Sequence, residues 1–174
     1  LNYYINRFIA LNCAGELLNR KLFPNAKEIT ESFAAFKAII EHIPYNRKTD
    51  KAQVICVGDG HTPRTGALIS MLTSWNVLSI DPVMRIKEYN IKRLELIKAK
   101  IEDVQLEYDC PVIVVCVHSH AKLTDCLKSI KADERYIITI PCCVPSDLTA
   151  DPIESYIDND IDSEKRKVEI YKLF

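Results

Sequence analysis

The stretch 54-VICVGDGHTP-63 decides the fold. Four apolar residues, three of them β-branched, run into Gly-Asp-Gly, and a helix-initiating Thr-Pro follows. A buried strand that turns sharply into a helix needs residues of this kind. Glycine allows the backbone to reverse and lets a ligand lie against bare main chain. Thr62 then reads as the N-cap and Pro63 as the first helical residue of 62-TPRTGALISMLTSW-75.

Outward from this turn the same alternation continues. Strands are expected at 76-NVLSI-80, 94-LELIKAKI-101, 111-PVIVVCV-117, 135-RYIITI-140 and 167-KVEIYKL-173, the last alternating like an edge strand. A further helix is expected at 121-AKLTDCLKSI-130, and a loop or short helix after 140. Near-continuous apolar strands separated by helices imply an α/β fold, a three-layer Rossmann-like sheet that is mostly parallel with a C-terminal antiparallel edge strand. Upstream, Ile29, Phe33, Phe36, Ile40 and Ile43 recur at helical spacing until Pro44. The division expected is a helical extension over 1–51 and a Rossmann-like domain over 52–174.

Composition narrows the function. The 174 residues, 48% of them hydrophobic, suffice for one cored domain. No apolar run is long enough for a membrane helix, and the opening LNYYINRFIA has no basic n-region or cleavage motif. Seven cysteines, an odd number that includes Cys56 and Cys116 within strands, fit a reducing, intracellular setting, with the cytoplasm expected. The net charge of −1 excludes a global pull toward nucleic acid or anionic lipid. Locally, residues 1–51 hold eight Lys/Arg against five Asp/Glu, residues 85–100 six against two, and residues 147–164 seven acids with no Lys/Arg. These are solvated faces or the basic rim of a site for an anionic substrate.

In such sheets ligands sit beyond the carboxyl ends of the strands. There the second strand ends on Asp81, 23 residues after Gly58, near the spacing at which an acid meets a ribose hydroxyl. A dinucleotide fingerprint would place a third glycine at position 63, where Pro63 stands, which favours S-adenosylmethionine over NAD(P).

With these residues in place, the segment from about residue 52 resembles a class I S-adenosylmethionine-dependent methyltransferase. By that resemblance Gly58, Asp59 and Gly60 form the cofactor loop, with His61 beside it. Asp81 holds the ribose hydroxyls next to Pro82, and Glu102 and Asp103 lie near the adenine edge. Cys56 stands where that family often carries an acid. The run 118-HSHAKLTD-125 after the fourth strand, with 141-PCC-143 after the fifth, is similar to a methyltransferase-like group that includes a eukaryotic tRNA 2′-O-methyltransferase. The glycine usual in that histidine motif is absent, Ala121 taking its place.

The expected function is therefore methyl transfer, with His118 and His120 catalytic and Arg64, Cys142 and Cys143 contacting substrate. The acceptor is open, RNA being favoured. The rivals are a non-catalytic binding module and an NAD(P)-dependent oxidoreductase. No metal is expected: adjacent cysteines with non-standard spacing make a poor structural zinc site. Two residues apart on an extended backbone, His118 and His120 are expected to share a face.

Overall fold

A computed structural model describes residues 2–174. Three helices come first: α1 (Tyr3–Ile9), α2 (Ala14–Asn19) and α3 (Ala26–His42). Asn2 caps α1 by accepting the amides of Tyr4 and Ile5, and Asn25 caps α3 through the amide of Glu28.

Then come β1 (Gln53–Val57), α4 (Arg64–Leu72), β2 (Asn76–Ile80), β3 (Leu94–Ile97), a 3₁₀ turn (Ile101–Asp103) and β4 (Leu106–Glu107). The chain continues through β5 (Val112–Val117), α5 (Leu123–Ser129), β6 (Ile130–Lys131), β7 (Arg135–Ile140), β8 (Glu154–Ile157) and β9 (Lys167–Leu173).

Seven strands form one sheet in the order β3-β2-β1-β5-β7-β9-β8, while β4 and β6 pair separately. The first five of that order are mutually parallel. β9 runs antiparallel to both its neighbours, β7 and β8. The C-terminal strand is thus antiparallel as expected but lies one place in from the edge. The edge belongs to β8, whose sequence ESYI is mostly exposed and carries no apolar run to announce it.

Alternation along the strands divides the core in two. Val54, Cys56, Ile113, Val115 and Ile138 face α1, α3 and α4, in one cluster with Tyr4, Phe8, Phe33 and Leu68. Ile55, Leu78, Val114 and Ile137 face α5 and the 3₁₀ turn, in a cluster with Ile101, Leu123 and Cys126. The first 51 residues therefore share an apolar layer with the sheet. Each such side chain, fully buried, contributes roughly 1.5–3 kcal/mol over an exposed one.

Two caps come from outside their helices. The first-turn amides of α4, Thr65 N and Gly66 N, donate to the Asp59 carboxylate at 3.0 and 2.9 Å. Thr62, expected as the cap, instead donates its hydroxyl to Leu22 O, so it ties the turn to the N-terminal segment. Pro63 occupies the N-cap position itself rather than the first helical one. At α5 the amides of Leu123 and Thr124 donate to Asp147, a residue of the acidic stretch 24 positions away. This delays the helix to Leu123, two residues later than the sequence pattern suggests.

No helix among the described residues is long and apolar enough to cross a membrane.

Candidate functional site

A hollow of about 540 Å³ opens at the carboxyl ends of β1, β2 and β5. Its size lies within the range of small-molecule sites. It forms where the parallel order changes direction, β1 pairing β2 on one side and β5 on the other.

Gly58 and Gly60 form its floor with φ of 75° and 84°, a region L-residues rarely adopt. A Cβ on Gly58 would stand 2.3 Å from Ser119 Oγ, so the turn after β1 also presses against the turn after β5. Asp81 clasps the loop from the other side. Its carboxylate accepts Gly60 N and Val83 N, both at 2.8 Å. A carboxylate offers about four acceptor positions, so Asp81 has capacity left for a ligand.

Asp59 does something other than line the hollow. Its side chain is buried and turned inward, accepting Thr65 N, Gly66 N and the Ser79 hydroxyl, the last at 2.7 Å. Burial raises its carboxyl above the ordinary range, against the hydrogen bonds from Gly66, Ser79 and Thr65. The positive end of α4, where an anion would otherwise dock, is filled by the chain's own carboxylate. Gly66 completes the arrangement: a Cβ there would stand 2.1 Å from Ser79 Oγ. The glycine that lets helix approach strand is thus at 66 rather than 63.

Of the other residues expected here, Pro82, Glu102 and Arg64 line the hollow. Arg64 is tied to Glu28 of α3, Nε to carboxylate at 2.7 Å. Asp103 and His61 lie outside the lining, with His61 Nδ1 at 3.2 Å from Val83 O. Cys56 is buried in β1, where burial pushes its thiol well up. Within 85–100, Lys100 reaches the lining, whereas Arg93 folds back onto the carbonyls of Ser70 and Thr73 near the end of α4.

His118 and His120 both reach the hollow but part company. His118 has φ 48°, so the extended geometry that would put them on one face ends at the last residue of β5. Its Nε2 lies 3.0 Å from Lys165 O and its Nδ1 3.4 Å from Glu31 of α3. A carbonyl only accepts, so the contact with Lys165 O is a hydrogen bond when Nε2 bears a ring proton. Glu31 is 2% exposed, and burial raises its carboxyl, with Glu28 reinforcing and His118 and Lys27 opposing. Glu31 and Ser119 are contributors that the sequence reading did not single out. The available signal was an acid in mid-helix among Ile29, Ser32 and Phe33, on the buried face.

His120 turns instead to the loop after β7. Its Nε2 is 3.3 Å from Cys143 Sγ, which is 3.5 Å from Cys142 Sγ. Neither cysteine lines the main hollow; Cys142 lines a second one, of about 360 Å³, with Lys165 and Arg166.

No protein-family profile matches the sequence, and no curated protein does. Solved structures similar in arrangement include a mutant of MtNAS, 14% identical, covering 97% of this chain and 73% of that one at a TM-score of 0.48. The plantazolicin methyltransferase BpumL in complex with SAH is 12% identical over 80% of this chain and 58% of its own, with a TM-score of 0.41. LaPhzM is 13% identical over 85% of this chain and 46% of its own, with a TM-score of 0.42.

Proposed function

We propose that the protein is an S-adenosylmethionine-dependent methyltransferase. The observation that carries the reading is the Gly58–Gly60 loop clasped by Asp81 at the switch point of a sheet ordered β3-β2-β1-β5-β7-β9-β8. In this reading 52–174 carries the cofactor site and 1–51 walls the acceptor side through Glu28 and Glu31. The bound groups would be the sulfonium amino acid along the glycine loop, the ribose at Asp81 and the adenine toward Glu102. Asp59 speaks against a dinucleotide: the α4 amides that would take a pyrophosphate are already hydrogen-bonded to its carboxylate.

Sulfonium is a good leaving group, so alignment of acceptor, methyl carbon and sulfur supplies most of the rate. Where the acceptor must lose a proton, His118 takes it once its Nε2 exchanges Lys165 O for the acceptor, with Glu31 facing Nδ1, while His120 contacts the acceptor. RNA is the favoured acceptor, on the partial likeness to a tRNA 2′-O-methyltransferase group and on the exposed basic residues of 85–100, of which Lys100 lines the hollow.

Calorimetry and thermal shift with S-adenosylmethionine and its demethylated product test the first step, since a binder of the folded state stabilises it. Binding should weaken in Gly58→Val and Asp81→Ala. No response at millimolar cofactor would sink the reading. Methyl transfer to a bulk RNA pool and to protein extract tests the second: His118→Asn should cost about 10²–10⁴-fold in turnover with cofactor affinity retained.

A further inference from the structure

We infer that His120, Cys142 and Cys143 form an open, three-ligand site for a borderline-soft divalent cation, zinc foremost. They are the one group among the described residues whose His, Cys or acidic ligand atoms converge this way, all within 4.8 Å of one another. The separations are those of a coordination shell. With Zn–S near 2.3 Å and Zn–N near 2.0–2.1 Å, two ligands at a tetrahedral angle stand about 3.8 Å apart for S···S and about 3.6 Å for S···N. Here Cys142 Sγ and Cys143 Sγ are 3.5 Å apart, and Cys143 Sγ is 3.3 Å from His120 Nε2. The Cys142–His120 pair falls within the same 4.8 Å, and small adjustments of the three side chains complete the fit. Adjacency in sequence, which argued against a metal, is overcome because the loop after β7 turns both sulfurs toward His120.

Two thiolates and an imidazole favour Zn²⁺ over the hard cations Mg²⁺ and Ca²⁺. The site is not a structural one. His120 and Cys143 are exposed, and a fourth protein ligand is missing because His118 is committed to Glu31 and Lys165 O. Three protein ligands with an open position is the pattern of a cation that receives water or a substrate donor. The open position lies beside the main hollow, whose lining includes His120.

The test uses the whole chain stripped with chelator under reducing conditions, then titrated with Zn²⁺ against a chromophoric competitor, and separately with Co²⁺. One equivalent of Zn²⁺ should bind, and Co²⁺ should give a thiolate-to-metal charge-transfer band with intense tetrahedral visible bands. His120→Asn, Cys142→Ser and Cys143→Ser should each weaken Zn²⁺ at least about 100-fold, beyond the effect of losing an outer-shell partner. Cys110→Ser, remote from the site, should leave it unchanged. Stripped protein should keep its cooperative melt. The inference is overturned by a cobalt spectrum without the thiolate band, by zinc affinity undiminished in Cys143→Ser, or by loss of the fold on stripping.

Discussion

Two pairs of turns at the same edge of the sheet use their polar groups in opposite ways. The turns after β1 and β2 spend theirs on nearby backbone and strand: Asp59 satisfies two amides of α4 and the Ser79 hydroxyl, and Asp81 satisfies the amides of Gly60 and Val83. The turns after β5 and β7 leave theirs facing outward, with His120 and Cys143 exposed and in contact mainly with each other. Residues of the first pair shape a binding surface by fixing the backbone, whereas those of the second can meet a ligand with side chains. A carboxylate in a glycine loop is therefore not evidence that it touches the ligand.

The contrast breaks most sharply at Asp59. Asp59→Ala strands Thr65 N, Gly66 N and the Ser79 hydroxyl in a buried place, and should cost about 3–5 kcal/mol in urea unfolding. A loss under about 1 kcal/mol would mean the turn after β1 does not depend on that carboxylate. Next comes Gly66→Ala. Alanine would favour the helix by about 1 kcal/mol, but its Cβ meets Ser79 Oγ, which Asp59 holds in place. Overpacking should win, with a net loss of about 1–2 kcal/mol by the same measurement.

Glu31 gives a smaller, pH-dependent effect. Its folded carboxyl binds a proton more tightly than the unfolded one. Its contribution to stability is thus full below the unfolded value of about 4.3 and fades as pH rises through the raised folded value. Glu31→Gln does not titrate, so its stability relative to wild type should improve from pH 4 toward neutrality, read as urea midpoints across a pH series. A flat difference would show that burial does not perturb Glu31. Least affected is Cys143→Ser, expected within about 0.5 kcal/mol of wild type in stripped protein. A larger loss would make the turn after β7 structural too.

What the sequence disclosed follows the same divide. β2 and β7 are found where the apolar pattern puts them, because strands buried on both faces must be apolar whatever their neighbours, and β9 where its alternation puts it. Residues 94–101 yield a strand of only four, since Lys98 and Lys100 belong to the loop that carries the chain into the 3₁₀ turn. The caps were illegible because Asp147 reaches α5 from 24 residues away and Asp59 reaches past Thr62. At the candidate site, the glycines, Asp81 and the two histidines could be read from local spacing. The Glu31–His118 pair and the His120–Cys142–Cys143 convergence join separate elements, and only the packing of α3 and of the loop after β7 brings them together.

The placement of β9 inside β8 bears on how the protein is made. Synthesis runs from the N-terminus, so β8 leaves the ribosome before the strand it must pair with. Until residues 167–173 follow, β7 presents an open parallel edge of buried-type residues, and β8 has no place in the sheet. The opening helix waits on the same region, because Asn2 Nδ2 donates to Asp160 O and the Tyr4 hydroxyl to Asp158. Helix α1 and the segment between β8 and β9 thus close together, and a nascent chain stalled before β9 would expose an adhesive edge on which chaperones or neighbouring chains could act.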